Sequence, residues 1–534
     1  MIMKKKLYAV LILVILFVFM KSCALYHFRR DYHNANNLIH DTGYMQTKPF
    51  LKAHLKNGEV YILTESWRID STRNMIVGSG SKYNYRRNKV YDGAVNIPID
   101  SVVIFETNTK IVKHESGRIA ALSILAAADI LLGVICLTNP KACFGSCPTF
   151  YIDEHDSFHY ADAEAFSEAI RPSTEYSDID ALNNKNLFSG TFSLTMKNEA
   201  LETHCVREVK LLAYPRKEGE RIFHAPGDDF YRCENEYPLS FATADEGDIT
   251  RFLRYPDREE RFSLSDENNL SSKEEIYLRF ETSGISDNPG LLLHFRQTLM
   301  TTYLVYSAFG YMGDQIGDVI TQMESNSKTR DKVKEGIKKE LGKIDVYLWN
   351  DRKKEWEFQN GFYEIGPIAI NRQLIPLRDW SGNPDARLKL VLNRGYWRLD
   401  YAALTDIREN VDPIPISPSA VLNKGLPDEK ALRDVLDPER HLVSMPGDEY
   451  KFIFPLPEEE TDYELFLCSR GYYLEWMRES WIKDTNLLKL WEMVEFPKRY
   501  LREEAKQFKR YETTMEQQFW DSRLDTKTFV YHEN

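Results

Sequence analysis

The stretch RLKLVLNRGYWRLDYAAL, Arg387 to Leu404, decides the fold class. It reads as two β-strands, RLKLVL and YWRLDYAAL. In the second, strand alternation sets Trp397 and Leu399 on one face, as a sheet packed over a core requires. Further runs flank it: VYLW (346–349), KEWEF (354–358) and EIGPIAI (364–370). Together they predict an antiparallel β-sandwich of jelly-roll type over 346–480. Tyr450–Phe454 and Glu464–Cys468 complete the same sheet pair across a proline-rich linker, Val411 to Pro427.

Upstream, short strands recur with turns at intervals of about ten residues, which favours a sandwich or barrel over βαβ units. Cys205 to Tyr214 places Val209, Leu211 and Ala213 on one face, and Glu275 to Phe280 is another strand. These define a central β-rich domain, 141–285. The period then changes. From Gln297 to Met323, apolar residues such as Leu299, Tyr303, Tyr306, Met312, Ile316 and Val319 recur at three or four positions. A charged helix, Lys328 to Leu341, follows, so 286–345 reads as a helical insert. A small β-rich unit precedes all this, 23–118, in which Asn57-Gly58 marks a turn before VYILTESWRI, and Val102 to Phe105 is β-branched. Gly78 to Ser81 with Tyr83 to Arg87 predicts an exposed hairpin or loop. A charged helical tail, 481–534, interrupted at Pro497, ends the chain. The class is mainly β with α, and multidomain, since 534 residues exceed the ~250–300 that one core supports.

Composition removes several alternatives. With 28 Phe, 30 Tyr and 9 Trp, the chain carries far more apolar area than disorder allows. A mean hydropathy of -0.46 excludes a polytopic membrane protein. A net charge of -12 argues against nucleic-acid partners, which need a basic footprint. That charge is uneven: the first 118 residues hold 18 Lys and Arg against 9 Asp and Glu.

The N-terminus explains part of the imbalance. Three lysines, Lys4 to Lys6, precede an unbroken apolar run from Leu7 to Met20, too short to span a bilayer comfortably at 1.5 Å per residue. Lys21, Ser22 and Cys23 follow. This order is that of a secretory signal peptide, 1–22. Bacterial lipoproteins are cleaved just before a cysteine that takes the lipid; Cys23 has the right placement and Ser22 the right size, while Lys21 stands where a small or apolar residue is usual. Cleavage after Ala24 and an uncleaved anchor are the alternatives. Cleaved before Cys23, the chain would keep a surplus of five basic residues over Ala24–Arg118, nearest the anchor, where anionic headgroups attract it. A second apolar stretch, Ile119 to Thr138, within 119–140, is long enough to span, but Asp129 lies in its middle. A buried helix or hairpin is the preferred reading of it.

Six cysteines remain beyond Cys23. Cys143 and Cys147 have C-x3-C spacing, which excludes the redox C-x-x-C pattern and, with no further ligands nearby, a zinc site. A local disulfide is expected there, with Gly145 allowing the tight turn. Cys205 and Cys233, in neighbouring strands, are a second disulfide candidate. Cys136 and Cys468 sit in apolar contexts that suit buried thiols.

CFGSCPTFY (143–151), GYYLEW (471–476) and the lipoprotein-like start resemble uncharacterised Gram-negative envelope lipoproteins. The resemblance covers short islands across most of the chain. It implies an exported, anchored, β-rich protein and brings no catalytic residues with it.

Motif chemistry is sparse. His155 and His159 have metal-ligand spacing for a helix but straddle a predicted turn, Asp153 to Ser157. Ser325 to Lys328 matches S-x-x-K without its companion motifs. No Gly-rich phosphate loop exists, so no catalytic, metal or cofactor residues are assigned and no cofactor is expected. Trp356, Tyr396, Trp397, Tyr472, Tyr473 and Trp476 are either sandwich core or a sugar-stacking surface. The expectation is a lipid-anchored protein of the bacterial cell envelope, periplasmic or on the outer membrane. It would act as a binding or scaffold component for an envelope protein partner, or alternatively bind glycan through sandwich aromatics, or less plausibly hydrolyse an envelope substrate. Labelling cells with a fatty-acid analogue is expected to mark the wild-type chain and not Cys23→Ala; equal labelling of both would refute lipidation at Cys23.

Overall fold

The computed structural model describes residues 26–33, 51–112, 147–316 and 336–526, with short interruptions of which 153–160, 183–189 and 476–483 are the longest. Cys23, Ile119–Thr138, Cys136, Cys143, His155, His159, Ser325, Lys328 and Trp476 lie outside the described residues. The described residues are mainly β, as expected, with five sheets and a few helices.

The first sheet, residues 26–112, has six antiparallel strands around a small core of Leu51, Leu63, Ile76, Ile97 and Phe105. Gly78 to Ser81 is not a loop here but lies inside the strand Met75–Tyr83. The neighbouring strand Val60–Asp70 shifts register between Leu63 and Trp67. That irregularity presses its backbone onto Gly80, where a Cβ would sit 2.2 Å from the Ile62 carbonyl oxygen. Only glycine fits, so the residue that signals a turn in sequence serves a close strand contact.

The remaining four sheets form two sandwiches whose strands are grouped across the chain. Phe192, Leu194 and Met196 of one sheet pack with Val209, Leu211, Ala213, Leu465 and Leu467 of the next. The first of these contains Thr149–Tyr151, Thr191–Lys197 and Glu449–Pro455; the second contains Tyr176–Ala181, Glu202–Pro215 and Tyr463–Glu475. This flanking sandwich therefore uses both ends of the β region. Between them, residues 220–410 build an inserted sandwich. One of its sheets contains Glu220–Ala225, Asp229–Pro238, Pro289–Gln297, Asn371–Pro376 and Trp397–Asn410, and the other Lys273–Glu281, Ile344–Asn350, Glu355–Phe362 and Asp385–Asn393. Phe280, Leu293, Phe295, Leu388, Leu390, Trp397 and Leu399 fill its core.

Further expectations change. Tyr450–Phe454 and Glu464–Cys468 do not join the sheets of 346–407; they pair with Thr191–Lys197 and Glu202–Pro215. EIGPIAI is not a strand: 366–370 is irregular and the strand follows at Asn371–Pro376. The predicted Cys205–Cys233 bridge does not form, because Cys205 is buried in the flanking core and Cys233 in a separate cluster of the inserted sandwich. Cys147 hydrogen-bonds at 3.2 Å with Glu164 and with Ser167.

The helix begins at Met300, not Gln297, which completes the preceding strand, and ends at Met312. Gly313 stops it with φ +51 in a spot where a Cβ would meet Thr485 at 2.0 Å. Near the end of the chain, Asn486 caps the helix Leu487–Glu495 by accepting from the Lys489 N–H at 3.0 Å. Pro497 opens the next helix, Pro497–Phe508, as proline does at a first turn. Its Tyr500, Leu501, Ala505 and Phe508 cover the inserted core. Glu516, on the helix Met515–Asp521, reaches the buried Arg296 at 2.6 Å.

The inner sheets also pack on each other. Leu212, Tyr214 and Phe466 of the flanking sandwich meet Ile222 and Phe230 of the inserted one. Phe466 lies edge-on to Phe230 at 5.0 Å and to Tyr214 at 5.7 Å. Phe466→Ala is expected to cost about 3–5 kcal/mol. Urea denaturation followed by circular dichroism checks this; a loss below about 1 kcal/mol would mean the layers do not depend on this ring.

Candidate functional site

A cavity of about 210 Å³ opens where the two sandwiches meet. Five strands of one sheet supply most of its wall: Arg221 and Phe223, Glu236, His294, Arg372, and Asp400 with Tyr401. Register places Arg372, His294 and Tyr401 side by side on three adjacent strands. Ala161, Asp162 and Ala181 from the flanking sandwich close the other side, with Pro256 and Arg258 at the rim.

The charges are organised around Glu464. Arg221 grips this carboxylate through two bonds, 2.8 and 3.1 Å, and Arg216 adds a third at 3.1 Å. Burial would raise the Glu464 pKa, but Arg221, Arg372 and Arg216 outweigh it and hold the carboxyl below its ordinary value. Arg372 donates to the Leu182 carbonyl at 2.7 Å. Among the described residues no carboxylate comes within ion-pair distance of it. Burial, with Arg221 and Arg216 nearby, lowers its pKa against the pull of Glu464 and Glu236.

The acid–base groups respond to the same field. Burial drives the His294 pKa well below its usual value, and Arg372 and Arg221 add to this, so the imidazole is neutral. It packs on Tyr401 at 4.9 Å, while Tyr401 donates to Glu236 at 3.0 Å. Asp400 accepts the Arg258 backbone N–H at 2.7 Å, with its other oxygen 3.8 Å from His294. Arg258 holds φ +69, a left-handed conformation that aims this N–H at the carboxylate. Burial lifts the Asp400 pKa to about 6. Each carboxylate is thus engaged structurally, and among the described residues no Ser–His pair lines the cavity.

A second surface lies on the far sheet of the inserted sandwich. Tyr277, Lys389, Tyr347 and Phe358 are register neighbours across four strands. Trp349 and Trp356 form the next row, paired at 5.3 Å. Phe358 is 57% exposed and Tyr277 39%, while the other rings are half-buried. Lys389 lies 5.3 Å from the Tyr347 ring and 5.4 Å from Trp356; Arg387 lies 5.0 Å from Trp349. Glu275, Glu357 and Asn350 frame the rings with hydrogen-bonding groups.

The aromatic residues singled out by sequence therefore separate. Tyr396, Trp397, Tyr472 and Tyr473 are core, and Trp356 joins the exposed face. Tyr277, Tyr347, Trp349 and Phe358 were legible only as alternating strand residues. The cavity residues come from strands 221 to 401 and carry no spacing that sequence could flag. No family model matches the chain, and no curated protein is similar enough to count as a relative.

Asp400 gives a pH signature. Its folded pKa of about 6 exceeds the unfolded value, so its contribution is greatest below about 4 and is lost as pH rises through 6. Asp400→Asn keeps the acceptor for Arg258 without ionising. Its stability advantage over wild type is expected to grow by about 3 kcal/mol between pH 4 and 7. Denaturation at both pH values measures it; a pH-independent difference would show that Asp400 is not held protonated.

Proposed function

We propose that this chain is a non-catalytic glycan-binding protein of the bacterial cell envelope, tethered to a membrane by a lipid on Cys23. The aromatic face of the far sheet carries the reading. Sugar rings present C–H faces that stack on aromatic side chains, and their hydroxyls require donors and acceptors alongside. Tyr277, Trp356 and Phe358 supply the rings; Glu275, Glu357, Lys389 and Arg387 supply the polar frame. The apolar run before Cys23 supports the anchor, and the basic N-terminal part supports a membrane-facing orientation. Among the described residues, no helix is long and apolar enough to cross a membrane.

A protein partner, making the chain a scaffold, is the second reading. Leu488 is 80% exposed, and Trp491 and Phe496 stand exposed beside it, edge to face at 5.1 Å. One experiment separates the two. Isolated envelope polysaccharide is immobilised, and wild type, Trp356→Ala and Trp491→Asp are compared for retention. Wild type is expected to bind, with Trp356→Ala weakened about tenfold, equivalent to ~1.4 kcal/mol, and Trp491→Asp unchanged. Retention lost only in Trp491→Asp would move the binding surface to the helix, and no retention of wild type would end the glycan reading.

A further inference from the structure

The cavity between the sandwiches is separate from the aromatic face and does not depend on it. We infer that it is a binding site for a small organic acid, whose carboxylate is held by Arg372 and whose second polar group meets His294 and Asp400.

Its size sets the first limit. At about 210 Å³ it falls below the ~300–1,000 Å³ of drug-sized sites, so the occupant has only a handful of heavy atoms. Its charge sets the second. Arg216, Arg221 and Arg372 surround Glu464, which bonds Arg221 and Arg216; among the described residues Arg372 bonds only the Leu182 carbonyl. A half-buried guanidinium facing a cavity without a counter-ion among the described residues invites an anion, and its planar fork matches a carboxylate.

Beside Arg372 on the same wall the chemistry changes. His294, neutral because burial and the arginines disfavour its charge, offers a donor or acceptor but no repulsion. Asp400, 3.8 Å from His294, is an acceptor for a hydroxyl or ammonium group. Phe223 and Ile370 add apolar surface to the same lining. An inorganic oxyanion would satisfy only the arginine end, whereas a hydroxy- or amino-carboxylate satisfies both.

Calorimetry on the intact chain at pH 7 tests this, with L-lactate, L-alanine, acetate and inorganic phosphate as probes. Saturable one-to-one binding of lactate or alanine is expected, at least tenfold tighter than acetate. Arg372→Met is expected to weaken it at least tenfold while keeping a cooperative melting transition and the wild-type circular dichroism spectrum, since among the described residues Arg372 closes no ion pair. His294→Gln should bring lactate down toward acetate. Trp356→Ala should leave all of this unaltered. No saturable heat with either acid, full binding in Arg372→Met, or phosphate binding as tightly as lactate would each overturn the assignment.

Discussion

The antiparallel pairing of Glu202–Pro215 with Tyr463–Glu475 is the contact on which the rest of the molecule depends. It joins segments about 250 to 270 residues apart, and Arg216 locks its end to Asp462 and Glu464. Loop-closure entropy grows only slowly with length, so a long closure is affordable once the intervening chain folds compactly by itself. The inserted sandwich meets that condition with its own core and its own helix Met300–Met312, and the later helix Pro497–Phe508 then covers what remains of that core. Its first and last strands, Glu220–Ala225 and Trp397–Asn410, both lead back to the flanking sheet.

That arrangement buries both faces of the inner sheets. Leu211, Ala213 and Leu465 point into the flanking core, while Leu212, Tyr214 and Phe466 point toward the inserted sandwich. Strands covered on both faces lose the apolar–polar alternation of a solvent-facing sheet, which is why Glu202–Pro215 reads as a nearly continuous buried run. Where the inner layers diverge, the space is lined by charge instead of apolar side chains. Burial there disfavours the charged forms of His294, Asp400 and Arg372, and Glu464 with its arginines keeps the cavity electrostatically tolerable.

The two surfaces differ in how they arise. The aromatic face follows from strand periodicity in one sheet: Tyr347 and Trp349 alternate with Val346 and Leu348, so one set is core and the other faces out. The cavity follows from none of its strands alone. Arg221, His294, Arg372 and Asp400 are neighbours because a sheet orders its strands differently from the chain.

Local pattern was enough to identify the β class, the strands around Val209–Ala213, Glu275–Phe280 and Arg387–Leu404, the central helix and the charged helical tail, because alternation and helical spacing are properties of neighbouring residues. It also carried the composition and the Cys23 context on which the envelope reading rests. It could not assign strands to sheets, since Tyr450–Phe454 pairs equally well by pattern with any apolar strand. Nor could it tell that Gly80 is a contact and not a turn, or that Cys205 and Cys233 occupy different cores. Those were decided by tertiary packing, where backbone hydrogen bonding, steric fit and shared burial act between residues that have no relation along the chain.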